Sequence, residues 1–164
     1  MRKLYIHRAK IILMKNVSLF LIATLIASTC FAQTLRMDQV PPATANAFKV
    51  KFPNGSQPGW AQEKENVYQV GFFNGKKRQT ALFDNTGKWL ETETEINYNA
   101  VPMKVQNAFQ KEFEGYQLQE VYEVESTDKA ITYEMITFKG AKNYEAVFSA
   151  KGELLKKEEG AQNE

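Results

Sequence analysis

Apolar and polar positions follow two different periods along the chain beyond residue 40. Val105, Ala108, Phe109 and Phe113 fall on one face at helical spacing. Pro42 and Pro102 suit first turns, where a missing amide hydrogen costs nothing. Pro53 and Gly115 then close the two predicted helices. Elsewhere aromatic and branched residues alternate with polar ones, which predicts strands near 57–63, 66–73, 77–84 and 88–96, and again near 117–125, 130–138, 142–149 and 153–159. Asn74-Gly75, Asp84-Asn85-Thr86-Gly87, Lys139-Gly140 and Ser149-Ala150-Lys151-Gly152 supply the turns between them.

The same order of residues is met twice. Val40-Pro41, Asn46-Ala47-Phe48 and Phe52 return as Val101-Pro102, Asn107-Ala108-Phe109 and Phe113, 61 positions later. Tyr68 to Gly75 matches Tyr133 to Gly140, and Ala81-Leu82-Phe83, Gly87 and Leu90 match Ala146-Val147-Phe148, Gly152 and Leu155, now at an offset of 65. The four extra residues fall at Glu125 to Lys129, a longer hairpin turn, where insertion is tolerated. The expected fold is therefore α+β: two tandem repeats, each one helix followed by a four-stranded antiparallel sheet with the helix on one face. The first repeat spans 33–98 and the second 99–164, the latter ending in a short polar tail.

The N-terminal segment has a different character. Arg2, Lys3, Arg8, Lys10 and Lys15 precede the apolar run Val17 to Ala27, the layout of a secretory signal peptide over 1–32, with cleavage after Ala32 and Gln33 as the new terminus. Met14 is an equally good start, so residues 1–13 need not be translated. The run is shorter than the ~20 residues of a membrane-spanning helix, and no stable span is expected after cleavage. Lipidation of Cys30 is the lesser reading, because Ala27 and Thr29 stand where a lipobox has Leu and a small residue. The protein is expected in the periplasm or outside the cell.

Removing the leader changes the charge and the chemistry. Five of the 21 basic residues lie in it and none of the 19 acidic ones, leaving a net charge of −3 and no basic excess for nucleic acid. His7 and Cys30, the only histidine and cysteine, leave with it. Disulfides, Ser-His-Asp and Cys-His nucleophiles, and zinc sites built on imidazole or thiolate are all excluded for the mature chain. No phosphate-cradling glycine loop or dinucleotide fingerprint occurs.

The remaining candidates read more simply as structure. Glu91, Glu93 and Glu95 alternate on one strand face and read as a solvated outer face, rather than as a carboxylate hydrolase or a calcium site. Asp84-Asn85-Thr86-Gly87 is a hairpin turn, with Asn85 breaking any Asp-Thr-Gly pattern. Lys76-Lys77-Arg78 reads as a solvated stretch beside a hairpin turn, with contact to an acidic partner as the lesser reading. No catalytic, cofactor or metal residues are assigned, and the protein is not expected to be an enzyme.

The order of helix, strands and a closing Phe83-Asp84-x-x-Gly87-Lys88-x-Leu90 hairpin resembles the PepSY-like domain, and its doubled form resembles the beta-lactamase-inhibitor-like exported proteins of Bacteroidetes. The likeness covers nearly all of 38–159; Ser149 stands where Asp84 does, so that turn carboxylate is not shared. It implies a module that binds or inhibits another protein, peptidases included, without enzymatic activity or cofactor. One helix covers only one face of a sheet, whereas Phe72-Phe73 and Trp89-Leu90 place bulky residues on both. Trp60, Tyr68, Trp89, Tyr133 and Tyr144 are therefore the expected contacts to a protein or peptide, with packing between the repeats or a homodimer as the other use of these rings. The alternative function is a small-molecule or ion carrier with its ligand in the cleft between the repeats.

Overall fold

The computed structural model describes residues 34–128 and 130–160. The predicted signal peptide with His7 and Cys30, the new terminus Gln33, Lys129 in the long turn and residues 161–164 of the polar tail lie outside the described residues. A two-residue strand, β1 (Thr34–Leu35), comes first, and α1 (Pro42–Lys51) follows. Then come β2 (Gly55–Lys64), β3 (Val67–Asn74), β4 (Lys77–Asp84) and β5 (Trp89–Glu95). After α2 (Met103–Glu112) the chain forms β6 (Gln117–Ser126), β7 (Ile131–Lys139), β8 (Lys142–Ser149) and β9 (Leu154–Glu159). Among the described residues no helix is long and apolar enough to cross a membrane.

The predicted pair of four-stranded sheets is corrected to one sheet. All nine strands are antiparallel neighbours in chain order, β1 to β9. The join is β5 against β6, where Glu91 faces Ser126, Glu93 faces Val124 and Glu95 faces Tyr122. Two separate sheets would each have left an edge of unpaired amides and carbonyls here; pairing the edges satisfies both.

Both helices lie on the same face of this sheet. Under α1, Phe48 packs edge-on against Trp60 and Phe72, with ring centroids 5.6 and 5.0 Å apart, in a cluster with Val70, Ala81 and Phe83. Under α2, Val105, Phe109 and Phe113 pack on Val121, Tyr133, Met135 and Phe148. A side-chain hydrogen bond docks α1: Thr44, fully buried, donates from its Oγ1 to the Asp84 carbonyl at 2.7 Å. Asp84 in turn accepts at one carboxylate oxygen from the Thr86 amide, the Thr86 hydroxyl and the Lys88 amide at 2.8, 2.6 and 2.9 Å. The hydrogen bonds from Thr86 foremost hold its carboxyl below the usual range, and Asp84 is a turn residue as expected.

Candidate functional site: the helix-free face

Neither described helix covers the other face, yet its centre is buried. Leu82, Val124 and Val147 are buried there, and so are Glu91, Glu93, Glu134 and Glu145, the last with no exposed surface at all. Strand register places them together: Leu82 faces Glu91, Glu93 faces Val124, Tyr122 faces Glu134, and Glu134 faces Val147. Side chains this deeply buried on a face without a described helix fit a sheet that curls towards that side. Glu93 on β5 is within electrostatic reach of Glu63 on β2 and of Glu145 on β8, each three strands away. In a flat sheet that separation is roughly 14 Å at about 4.8 Å per strand.

Burial governs these carboxyls. Desolvation, with Glu91, Glu145 and Glu63 adding repulsion, pushes Glu93 up to about 8. Glu134 is pushed up to about 9 by desolvation and then by Glu93 and Glu145. Burial also raises Glu145, partly offset by Lys156, whose ammonium lies 2.9 Å from its Oε1. Lys156 also reaches Glu158 at 3.1 Å at the more exposed rim. Oxygens Oε2 of Glu134 and of Glu145 have no hydrogen-bond partner among the described residues. Among the described residues no group of three or more potential ligands is arranged to hold a metal ion.

The expectation that Glu91, Glu93 and Glu95 form a solvated face is corrected for two of them. Glu91 and Glu93 are 4 % and 6 % exposed; only Glu95 stays in water, 3.9 Å from Arg78. Glu134 and Glu145 were not singled out from the sequence at all. The available signal was a carboxylate between two apolar core positions, Tyr133-Glu134-Met135 and Tyr144-Glu145-Ala146.

The five aromatics expected to contact a partner all lie on the helix-covered face. Trp60 is 3 % exposed against Phe48, and Tyr133 is 6 % exposed among the α2 residues. Tyr68 and Trp89 are half-buried beside the α1 cluster, and Tyr144 is half-buried beside that of α2. Lys51 sits 3.5 Å over the Trp89 ring and Lys157 5.0 Å over that of Tyr144. The helix-free face instead carries Phe73, exposed by 42 %. Across β3 to β6 the register sets it beside Arg78, with Glu95 and Tyr122 continuing along the same rim. Phe72, its neighbour in the chain, is buried at 2 % under α1.

Comparison with known proteins agrees with this architecture. A BLIP-like protein from Bacteroides fragilis is 26 % identical, with a TM-score of 0.63 over 74 % of this chain and 86 % of that one. A Bacteroides eggerthii protein described as one of the "putative periplasmic proteins" is 23 % identical, with a TM-score of 0.68 over 73 % of this chain and 88 % of that one. A DUF2874 family protein from Bacteroides uniformis has a TM-score of 0.67 at 22 % identity over 73 % and 88 %. No curated protein matches the chain. Residues 66–156 match the family described as "Putative beta-lactamase-inhibitor-like, PepSY-like". With more than half its length accounted for by that match, the chain belongs to the PepSY-like, beta-lactamase-inhibitor-like family.

Proposed function

We propose that this protein is an exported, periplasmic binding module that docks a protein or peptide and carries out no chemistry on it. Membership of a beta-lactamase-inhibitor-like family is the observation that carries this reading; the BLIP-like relative from Bacteroides fragilis and the periplasmic description of the Bacteroides eggerthii protein support it. The buried glutamates offer no competing reading as a hydrolase. Their carboxyls are sealed among Leu82, Val124 and Val147, away from any substrate.

Contact is assigned to side chains that keep surface in water. On the helix-free face this is the Phe73–Arg78 rim, an apolar ring beside a cation, a combination suited to an interface anchor. On the other face Tyr68, Trp89 and Tyr144 retain partial exposure, while Trp60 and Tyr133 act only by shaping the surface above them. The carrier alternative placed its ligand in the cleft between the two repeats; the continuous β5–β6 pairing that joins them favours the docking reading.

Capture from envelope extract by the immobilised chain tests the reading. Phe73→Ser, Trp89→Ala and Tyr144→Ala are each compared with the unmodified chain at unchanged near- and far-UV dichroism. At least one substitution should abolish recovery of a specific protein or peptide. Equal recovery by all three, or no specific recovery by the unmodified chain, rejects the proposal.

A further inference from the structure

The two sets of hairpins end on equivalent strands with unequal surroundings. Leu82 faces Glu91 and Val147 faces Lys156, so β9 stands to β8 as β5 stands to β4. Five residue pairs, Glu91 to Glu95 against Ser126 to Tyr122, cover β5 with β6. By contrast β9 ends the nine-stranded order, and Leu154 and Leu155 on it keep 41 % and 56 % of their surface exposed. Gly160 donates its amide to the Asn143 carbonyl, directly opposite it in the β8–β9 register. Bonded and non-bonded pairs alternate along an antiparallel ladder. The backbone groups of Lys156 and Glu158 are therefore turned to β8, and those of Lys157 and Glu159 to the outer side, where they form a template for another strand.

We propose that this outer edge is a self-association surface: two copies of the chain pair β9 with β9, antiparallel about Lys157, and join two nine-stranded sheets into one. The side chains select this occupant. Lysines alone guard an edge by repelling a second copy, but here two lysines are followed by two glutamates, Lys156-Lys157-Glu158-Glu159. A two-fold axis normal to the sheet at Lys157 sets Lys156 of each copy against Glu158 of the other on one face, at the closer, non-hydrogen-bonded spacing of about 4.5 Å between Cα atoms. Lys157 meets its own counterpart at the wider spacing of about 5.5 Å, and each Lys157 is already engaged by Glu112 at 2.9 Å. Leu155 to Glu159 then make five pairs, as many as join β5 to β6. Head-to-tail pairing of β9 with the β2 edge, in the register of the β5–β6 seam, would oppose Lys157 to Lys64 and Glu158 to Glu63. Thr34 and Leu35 also occupy that edge at Ala61 and Trp60. The Phe73–Arg78 rim on β3 and β4 takes no part, so the pairing stands or falls apart from the docking proposed there.

A seam this short makes a small interface, so the pair should separate on dilution below about 1 µM and leave the outer edge of β9 free. Sedimentation equilibrium from about 1 µM to about 1 mM is the test, and the mass should climb towards twice that of one chain. Glu159→Pro removes an outward amide while the ladder to β8 stays intact, and it should raise the dissociation constant at least about tenfold. Cysteine trapping in a Cys30→Ser background reads the register. Lys157→Cys puts two thiols on the axis, within disulfide reach, and should oxidise to a linked dimer. Glu159→Cys leaves them roughly 13 Å apart, four residues along the strand, and should not. A monomer at every concentration overturns the pairing. So does a dimer indifferent to the proline at unchanged far-UV dichroism, or linkage through Glu159→Cys as fast as through Lys157→Cys. Should the proline variant fail to fold, the two cysteine variants decide.

Discussion

Gly87 runs so close beneath α1 that a Cβ built on it would stand 2.7 Å from the carbonyl oxygen of Ala43. Its φ of +87° is itself hostile to a side chain. At the end of the second set of hairpins Gly152, with φ +85°, meets Lys104 O of α2 at 2.6 Å in the same way. Each glycine thus joins a turn of the sheet to a helix of the layer above it, by backbone contact that no other residue allows. Gly87→Ala and Gly152→Ala should each cost on the order of 2–4 kcal/mol, strain and displacement combined. Denaturant midpoints check this. A loss under ~1 kcal/mol at either site shows that the helix sits less tightly on its turn than described.

Trp60 provides a second check, on the α1 cluster. Trp60→Ala should cost about 3–5 kcal/mol, as for large aromatic truncations in a packed core. Trp60→Phe should cost much less, about 1–2 kcal/mol, because the buried indole Nε1 has no hydrogen-bond partner among the described residues and its loss removes a desolvated donor. Equal losses for the two variants, measured by urea unfolding, would mean that the ring does not fill the space beneath Phe48.

How legible this was in the sequence differs between levels. Helix starts at Pro42 and Pro102, strand positions and turns came from local period and local turn chemistry, and the strands lie within two residues of the expected bounds. The fold class did not come out, because the decisive event is β5 pairing with β6. Glu91-Thr92-Glu93-Thr94-Glu95 has the alternation of an exposed edge, and nothing local says that its backbone is claimed by residues 122–126. Alternation also says which residues share a face but not which face is covered. Phe72 and Phe73 are equivalent by composition, yet one is buried under a helix and the other exposed. The buried glutamates escaped for a further reason: their environment is made by sheet curvature, which is set jointly by all the strands.

Lys156 tests the electrostatics of the curl from the cationic side. It is the ammonium that offsets the burial of Glu145, and its own side chain keeps 22 % of its surface in water. Lys156→Met leaves Glu145 without its counter-charge. The expected cost is about 2–3 kcal/mol at neutral pH, below the range for breaking a fully buried pair because solvent reaches the lysine. The cost should shrink towards acid pH, since Glu145 then takes a proton. A loss equal at about pH 5 and about pH 8, in paired denaturant titrations, would remove Glu145 from the charged partners of Lys156.

The most direct measurement is amide hydrogen exchange along the seam between β5 and β6 at neutral pH. In one continuous sheet the amides of Glu91 to Glu95 and of Tyr122 to Ser126 that bond across the seam should be protected to the same degree as those pairing β3 with β4. Exchange at the seam as fast as on the outer edge of β9, with β3 and β4 still protected, would show two sheets side by side and contradict the account.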